Sequence, residues 1–288
     1  MGAIEQAFKK AQMRKIRVVM PENDNPRICE ARTIVKQRGL ADVVGLSEPS
    51  DTLVEALMSV RPVKEAVARR MIAKPIFRAC AMVTAGQADV VVAGVATPTK
   101  RVIEAASIAI GFKGNMATAS SFFLMALPDG REFVFADCAV NVAPDAAKLS
   151  DIARASAASA QVLLGRASVA MLSFSTLGSG VGDSVDKVKN AVEQLVSEGL
   201  PVIGPVQADA ALNPAIAAKK GISADDVNTL IFPNLDAGNI AYKLLQELAG
   251  ARAVGPFLQG FRAPVCDLSR GATVVDIVAA TAMTCAMA

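Results

Sequence analysis

Continuous apolar runs alternate with amphipathic segments from one end of this chain to the other. The run Asp89–Ala93 is apolar at nearly every position, as expected for a strand that is covered on both faces. The segment Pro26–Arg38 instead repeats its apolar residues every three or four positions, which predicts a helix. Strands that alternate with helices in this way predict an α/β fold class with largely parallel sheets.

The same pattern predicts the other elements. The predicted strands are Lys15–Met20, Ala41–Leu46, Asp89–Ala93, Ala117–Leu127, Glu132–Val140, Ser168–Ser175, Pro201–Val206, Thr229–Phe232 and Ala253–Gln259. The predicted helices are a short one with Ile4, Phe8 and Ala11 on one side, Pro26–Arg38, Thr52–Ser59, Val63–Ile72, Ile76–Gln87, Lys100–Ile110, one from Pro144 to Leu164, Val185–Ser197, Ile240–Leu248 and Val274–Met287. A Pro128-Asp129-Gly130 turn joins two of the strands as a hairpin.

The length of 288 residues fits two domains or one large one, and the seam is expected near Asn141–Pro144. The most apolar stretch, Gly271–Ala288, contains Asp276 as its only charge. It is shorter than the ~20 residues of a spanning helix, so a buried core helix is expected. The N-terminal segment lacks the apolar centre of a signal peptide. We therefore expect a soluble protein with no membrane partner.

Composition excludes several mechanisms. The chain contains no histidine, which removes Ser-His-Asp triads, Cys-His dyads and histidine-ligated zinc, and no metal-ligand set is visible. A net charge of +3 and few aromatic residues argue against nucleic acid as a partner. The five cysteines form no CxxC pair, which predicts reduced, mostly buried thiols and a cytoplasmic location.

Two loops could hold a ligand or could be plain turns. Leu177–Asp183 follows a predicted strand and is rich in glycine, so its N–H groups could face a phosphate. It could equally be a flexible turn in which Asp183 or Ser184 caps the next helix. Pro233–Asn239 follows another strand, at the edge where ligands bind in open α/β sheets. There, Asn234 and Asp236 could simply be turn and capping residues.

The densest cluster of functional groups is Cys266–Asp276, at the start of the final apolar helix. It combines the Ser269 hydroxyl, the Arg270 guanidinium and the Asp276 carboxylate. A carboxylate in apolar surroundings can have its pKa raised and act as a base, and an arginine at a helix start binds anions. The spacing of Thr273 and Asp276 also matches a capping box, so a structural role stays open.

Several sequence blocks, in the same order along nearly the whole chain, resemble the phosphate acetyltransferase (phosphotransacetylase) family. The strongest blocks lie after residue 120, and a further one is at the start of the chain. They are Val19–Glu22, Phe135–Cys138, Leu172–Thr176, Gln207–Leu212, Ile231–Lys243, Gly255–Gly260 and Pro264–Gly271.

The resemblance implies reversible transfer of an acetyl group between CoA and inorganic phosphate. CoA is then a substrate and no prosthetic group is expected. The resemblance also implies two α/β domains of the isocitrate/isopropylmalate dehydrogenase type with a cleft between them, and a homodimer. The first domain would comprise residues 1–144 and 265–288, and the second residues 145–264.

The resemblance also implies roles for particular residues. Asp276 matches the general base that takes the proton from the CoA thiol, so that the thiolate attacks directly in a ternary complex. Ser269 matches the residue that orients the reacting groups, and Arg270 the one that binds phosphate and offsets charge in the transition state. Residues matched to substrate binding are Ser120, Arg101, Arg61, Asn239 and Gln259.

The chain departs from the family pattern in places. It is short between Ser50 and Lys74, and Leu177 replaces a lysine of the family. Alternatives are therefore a phosphate butyryl- or propionyltransferase, or a non-catalytic protein that binds CoA or acyl phosphate on the same fold. A dehydrogenase is less favoured, because the sequence has no convincing nicotinamide fingerprint.

Overall fold

The computed structural model describes residues 2–114, 116, 118–223 and 226–288. Its strands are β1 (Arg17–Val19), β2 (Asp42–Val44), β3 (Val90–Ala93), β4 (Ser120–Ala126), β5 (Glu132–Ala136), β6 (Val169–Leu172), β7 (Val202–Val206), β8 (Thr229–Ile231), β9 (Arg252–Gln259) and β10 (Val265–Asp267). Its helices are α1 (Ala3–Met13), α2 (Pro26–Gln37), α3 (Asp51–Val60), α4 (Glu65–Ile72), α5 (Pro75–Thr84), α6 (Thr99–Ala109), α7 (Ala146–Leu164), α8 (Asp183–Ser197), α9 (Ala208–Leu212), α10 (Pro214–Lys219), α11 (Leu235–Ala249) and α12 (Val274–Met287).

The chain divides into two compact units, Met1–Ala119 with Val254–Ala288, and Ser120–Ala253. The C-terminal segment thus lies in the same unit as the N-terminal one. The unit limits differ from the predicted domain limits, because the hairpin β4–β5 pairs through β5 with β8 of the second unit. The predicted division at residues 144 and 264 stays a prediction.

The strands of the first unit follow the order β2-β1-β3-β10-β9. The first four are parallel, and β9 is antiparallel to β10. Because carboxyl ends of parallel strands share one edge of a sheet, the loops after β1, β3 and β10 lie at the same edge. This edge carries most of the chemistry described below.

Helix α12 packs against α1, α2 and β3, and its residues from Ile277 to Ala286 are buried. The final apolar helix is therefore a core helix, as predicted. Helix α1 buries Ala3, Ala7 and Ala11, whereas the predicted side was that of Ile4, Phe8 and Ala11. The small alanine side chains allow α1 to lie close to its neighbour, and this outweighs the larger apolar residues.

The second unit has the strand order β4-β5-β8-β6-β7, and all its pairs except the β4–β5 hairpin are parallel. Its core contains Phe123, Phe135 and Phe232, and the Tyr242 ring stacks on Phe123 with centroids 4.3 Å apart. Both units therefore have the α/β architecture with largely parallel pairing, and the predicted fold class is confirmed.

Most predicted elements are present, with ends that shift by a few residues. The sequence pattern missed β10, α9 and α10, each of which is too short to show a period. Helix α11 begins five residues before its predicted start, because the Asn234 side chain accepts a hydrogen bond from the Ala237 N–H. The predicted start of β4, Ala117, lies outside the described residues. No helix among the described residues has both the length and the apolarity to cross a membrane.

Candidate active site

The turn between β10 and α12 carries Ser269 and Arg270, and Asp276 follows a few residues later. Ser269 and Arg270 are exposed, and Asp276 is partly exposed on the first turn of α12. The Ser269 Oγ accepts a hydrogen bond from the Gly271 N–H at 3.2 Å, which shapes the turn. A hydroxyl and a guanidinium thus lie on the exposed turn before α12, and a carboxylate follows on the first turn of this helix, whose N-terminus favours an anion.

The capping box predicted at the start of α12 is present. The Asp276 Oδ2 accepts hydrogen bonds from the Thr273 N–H at 3.1 Å and from the Thr273 Oγ at 2.6 Å. The Asp276 N–H donates to the Thr273 Oγ at 3.3 Å. Asp276 therefore stabilises the helix start, and the same bonds orient its carboxylate.

The sequence pattern gave no reason to single out Arg27, although this residue holds the turn. Its Nη1 donates hydrogen bonds to the Arg270 carbonyl oxygen at 3.0 Å and to the Ala272 carbonyl oxygen at 2.6 Å. Arg27 lies at the start of α2, far away in sequence. Only the adjacency of the loops after β1 and β10 places it here.

Glu22, in the loop after β1, holds the neighbouring turn between β3 and α6. Its carboxylate accepts hydrogen bonds from four successive backbone N–H groups, of Gly94, Val95, Ala96 and Thr97, at 2.6–3.2 Å. Such a run of N–H groups makes a concave site for negative charge. Here, a carboxylate of the chain itself fills it.

Arg101 lies on the exposed first turn of α6, immediately after this loop, and its guanidinium forms an ion pair with Glu104. The end of β10 is bonded to the end of β3, because the Leu268 N–H donates to the Ala93 carbonyl oxygen at 2.6 Å. The loops that lead to Arg101 and Arg270 therefore begin at neighbouring strand ends. Their roles in binding stay predictions.

Asp267 is buried at the end of β10, with 1% of its surface exposed. Burial raises its pKa to about 6, and the negative charge of Glu22 adds to this rise, while the hydrogen bond from Thr99 opposes it. The Oδ1 atom has no hydrogen-bond partner in the part of the chain that the structure describes. Sequence reasoning missed Asp267, although it lies within one of the family blocks.

Two other predicted residues of the first unit lie on separate elements. Arg61 is the exposed residue that ends α3, and its backbone N–H donates to the Leu57 carbonyl oxygen at 3.0 Å. Gln259 is buried at the end of β9. Since β9 runs antiparallel and Leu258 pairs with Val265, Gln259 lies at the opposite end of β10 from Ser269. The register does not bring it to the Ser269–Arg270 turn.

The other two predicted residues belong to the second unit. Ser120 is buried as the first residue of β4. Asn239, on α11, donates from Nδ2 to the Cys138 carbonyl oxygen at 3.1 Å. Next to it, a side chain on Gly238 would meet the Asp137 carbonyl oxygen at 2.4 Å, so only glycine allows α11 to lie this close. Asn239 thus fastens α11 to the loop after β5.

The glycine-rich loop after β6 is organised by hydroxyl groups. The Ser175 Oγ accepts from the Gly180 N–H at 2.8 Å, and the Ser179 Oγ from the Thr176 N–H at 2.9 Å. Gly182 occupies the capping position of α8, so the predicted caps Asp183 and Ser184 were wrong. The loop continues into the helix through a glycine with a positive φ of 142°, where a side-chain cap was expected.

Among the described residues, no group of three or more acidic or cysteine side chains is placed to hold a metal ion. The groups available at the β10–α12 turn are those of acid–base and anion chemistry. Together with the α/β fold, they define a protein suited to group transfer on an anionic substrate.

The chain matches the family described as phosphate acetyl/butaryl transferase over residues 48–285. It belongs to this family. The resemblance found in the sequence blocks is therefore confirmed.

Relatives and solved structures agree with this assignment. The chain is 38% identical to the phosphate acetyltransferase of Thermoanaerobacterium thermosaccharolyticum, over 98% of this chain and 99% of that protein. It also resembles the crystal structure of a phosphotransacetylase from Streptococcus pyogenes, with a TM-score of 0.90, 32% identity and coverage of 99% and 97% of the two chains. A 4-hydroxythreonine-4-phosphate dehydrogenase from Klebsiella pneumoniae shares the fold alone, with a TM-score of 0.50, 13% identity and coverage of 86% and 77%.

Proposed function

We propose that this chain is an acyltransferase that converts acetyl-CoA and inorganic phosphate reversibly into acetyl phosphate and CoA. The observation that carries the proposal is the turn with Ser269 and Arg270 directly before the α12 start that carries Asp276, in a chain of this family. No covalent intermediate on the protein is required, because both substrates can react directly when they are held side by side.

Asp276 acts as the base in the direction of acetyl-CoA synthesis. A CoA thiol has a pKa near ~8.5 and is mostly protonated at neutral pH. The Asp276 carboxylate takes the thiol proton, and the thiolate sulfur attacks the carbonyl carbon of acetyl phosphate. The carbon–sulfur bond forms, the carbon–oxygen bond to phosphate breaks, and phosphate leaves with the electron pair.

Arg270 and Ser269 act on the acyl phosphate. The Arg270 guanidinium binds the phosphate group and offsets the negative charge that develops in the transition state. The Ser269 hydroxyl orients the reacting carbonyl group. Arg27 supports both by holding the backbone of the turn. Substrate contacts from Ser120, Arg101, Arg61, Asn239 and Gln259 are part of the proposal. The strand register places Gln259 at the end of β10 opposite the Ser269–Arg270 turn.

The variant Asp276→Asn tests this mechanism. We expect kcat for the formation of acetyl-CoA from acetyl phosphate and CoA to fall about 100-fold or more, because the amide cannot accept the thiol proton. The matched control is Asp236→Asn, which removes an exposed carboxylate from the first turn of another helix, α11, and should keep its activity. Turnover of the folded Asp276→Asn protein at the wild-type rate would contradict the base assignment and leave only the capping role.

The same assay tests which length of acyl chain the protein prefers. An extra methylene is worth only about 1–3 kcal/mol of discrimination, so acetyl-, propionyl- and butyryl-CoA must be compared through kcat/KM. We expect acetyl-CoA to be preferred. A preference for butyryl-CoA would move the proposal to a longer acyl group, and binding of CoA without any turnover would favour a non-catalytic binding protein.

We also propose that the protein is a cytoplasmic homodimer. Helix α11 presents three apolar side chains at four-residue spacing, Ile240, Leu244 and Leu248, each more than half exposed. A second copy of the chain would cover such a stripe. Light scattering after size exclusion should give twice the chain mass, and Leu244→Lys should reduce it to the mass of one chain. A single-chain mass for the wild type would contradict the dimer.

Cell fractionation tests the proposed cytoplasmic location. We expect the protein in the cytoplasmic fraction.

A further inference from the structure

The second unit contains a buried carboxylate, that of Asp137, which the proposed mechanism does not use. Asp137 directly follows β5, and 2% of its surface is exposed. Strands β5 and β8 are parallel, so the loop after β5 lies at the same edge of the sheet as the loop after β8. Ligands bind at this edge in open α/β sheets. The place of Asp137 in the fold therefore indicates a part in function as well as in folding.

Five hydrogen-bond donors converge on the Asp137 carboxylate. Its Oδ1 accepts from the Ser121 hydroxyl, from the Ala139 N–H at 3.1 Å and from the Val140 N–H at 3.2 Å. Its Oδ2 accepts from the Asn141 N–H at 2.9 Å and from the Asn141 Nδ2 at 2.6 Å. An ionised carboxylate has only acceptor atoms, so it suits a site at which every partner is a donor. The loop after β5 is thus folded around this carboxylate.

The hydrogen bond from Ser121 joins this loop to the start of β4. Phe122 pairs with Ala136 in the β4–β5 hairpin, so Ser121 and Asp137 lie opposite each other at the open end of the hairpin. Ser121 is completely buried, and it directly follows Ser120, one of the two predicted substrate residues of this unit. The Asp137 carboxylate therefore fixes the backbone next to Ser120.

The other side of the same loop contacts α11, which carries the second predicted substrate residue. The Asn239 Nδ2 donates to the Cys138 carbonyl oxygen at 3.1 Å, and this bond orients the Asn239 side chain. The Leu235 N–H, at the start of α11, donates to the Val142 carbonyl oxygen at 3.1 Å. Because Cys138 and Val142 lie on either side of the backbone that Asp137 holds, a shift of this loop would also move Asn239.

We infer that Asp137 is a positioning residue, which holds Ser120 and Asn239 in place through the loop after β5. This inference rests on the proposed function, because it assumes that these two residues contact the substrates. Asp137 itself touches no substrate, and both of its carboxylate oxygens accept hydrogen bonds from the chain. Positioning of this kind affects the rate, since a displacement of about 1 Å can cost about 100-fold.

The variants Asp137→Asn and Ser121→Ala weaken the network from its two sides. The amide of Asp137→Asn turns N–H groups toward donors of the loop, whereas Ser121→Ala removes a single donor. We expect kcat/KM for acetyl-CoA synthesis, per folded molecule, to fall about 30-fold in Asp137→Asn and about fivefold in Ser121→Ala.

A double variant separates positioning from a loss of stability. If Asp137 acts through Asn239, then Asn239→Ala should reduce kcat/KM less in the Asp137→Asn or Ser121→Ala protein than in the wild type. A purely structural role would lower the free energy of unfolding, and it would leave kcat/KM per folded molecule unchanged. Urea unfolding and steady-state kinetics of the single and double variants measure both quantities.

The matched control is Ser150→Ala. Ser150 is as buried as Ser121 and lies in the same unit, where its Oγ donates to the Gln194 side chain at 3.1 Å and joins α7 to α8. This variant should lower the free energy of unfolding but leave kcat/KM, and the effect of Asn239→Ala, unchanged. If Asp137→Asn does not fold, Ser121→Ala carries the test by the same criteria.

Three results would overturn the inference. The first is a wild-type kcat/KM in folded Ser121→Ala and Asp137→Asn. The second is an effect of Asn239→Ala that multiplies fully with theirs. The third is a wild-type kcat/KM in Asn239→Ala, because the inference assumes that Asn239 contacts a substrate.

Calorimetry with CoA distinguishes a failure of this inference from a failure of the proposed function. If the wild type binds CoA without turnover, the proposed function fails. A weaker affinity for CoA in Ser121→Ala, coupled to Asn239→Ala, then supports the positioning role, and an unchanged affinity overturns it. If the wild type neither binds CoA nor turns over, both fail. If turnover is normal and the Asp137→Asn and Ser121→Ala variants match the wild type, only the positioning role fails.

Discussion

Two aspartates near the end of the chain, Asp267 and Asp276, differ in burial and in role. For Asp276 the sequence left two interpretations open, a base with a raised pKa and a helix cap. In the structure Asp276 is partly exposed and caps α12, whereas burial raises the pKa of Asp267, nine residues earlier, to about 6. The first turn of a helix faces outward even when the rest of the helix is buried, and the end of a central strand does not.

The raised pKa of Asp267 predicts how stability changes with pH. Between about pH 4 and 6 the folded state holds a proton on Asp267 that the unfolded state has lost, so stability falls as the pH rises through this window. Above about pH 6 the cost of the buried charge is fully present. We expect Asp267→Asn to remove this fall, worth on the order of 1–3 kcal/mol.

Urea unfolding of wild type and Asp267→Asn at pH 4.5 and pH 7 measures this difference. The exposed residue Asp24 supplies the control variant, Asp24→Asn, which should follow the wild-type pH dependence. A wild type that gains stability relative to Asp267→Asn as the pH rises would contradict the predicted sign.

At the scale of elements, side-chain caps define where helices begin. Asn25, Ser50, Asp145, Asn234 and Thr273 each accept a hydrogen bond from a backbone N–H of the following helix. These starts follow from local sequence, because the cap and its partner are two or three residues apart. Strand β10 follows no local rule. Its three residues become a strand only because β3 and β9 lie on either side.

The cap of α12 is expected to serve both stability and catalysis. Thr273→Ala removes the Oγ that is hydrogen-bonded to Asp276. We therefore expect the free energy of unfolding to fall by about 1 kcal/mol, and kcat per folded molecule to fall as well. Thr273→Ser keeps the hydroxyl and should retain both values. Urea unfolding and the acetyl phosphate assay measure them. An unchanged kcat in Thr273→Ala would show that the cap does not orient the Asp276 carboxylate.

At the scale of the whole molecule, the five cysteine thiols differ in their exposure to solvent. Cys29 is exposed, and the other four cysteines are buried and unpaired. Burial raises the pKa of Cys80, Cys138 and Cys266, and that of Cys285 to about 12, so little thiolate forms at neutral pH.

A thiol reagent therefore should modify one cysteine rapidly in the native protein and all five after unfolding. Cys29→Ser should abolish the rapid phase and leave four slow thiols. More than one rapid thiol in the native wild type would show that a second cysteine becomes accessible.

The sequence by itself determined the α/β fold class, the family and the start of α12, because each depends on residues close together in the chain. Apolar periodicity defines strands and helices locally, and the Thr273–Asp276 capping box is three residues long. The cluster of Ser269, Arg270 and Asp276 could be found for the same reason.

The tertiary structure alone decided which groups support that cluster. Arg27 bonds the carbonyl of Arg270 across 243 residues of sequence, and Glu22 bonds the loop at residues 94–97 across more than 70. The physical reason is the order of the parallel strands. It brings the loops after β1, β3 and β10 to one edge of the sheet, and it buries Asp267 between them.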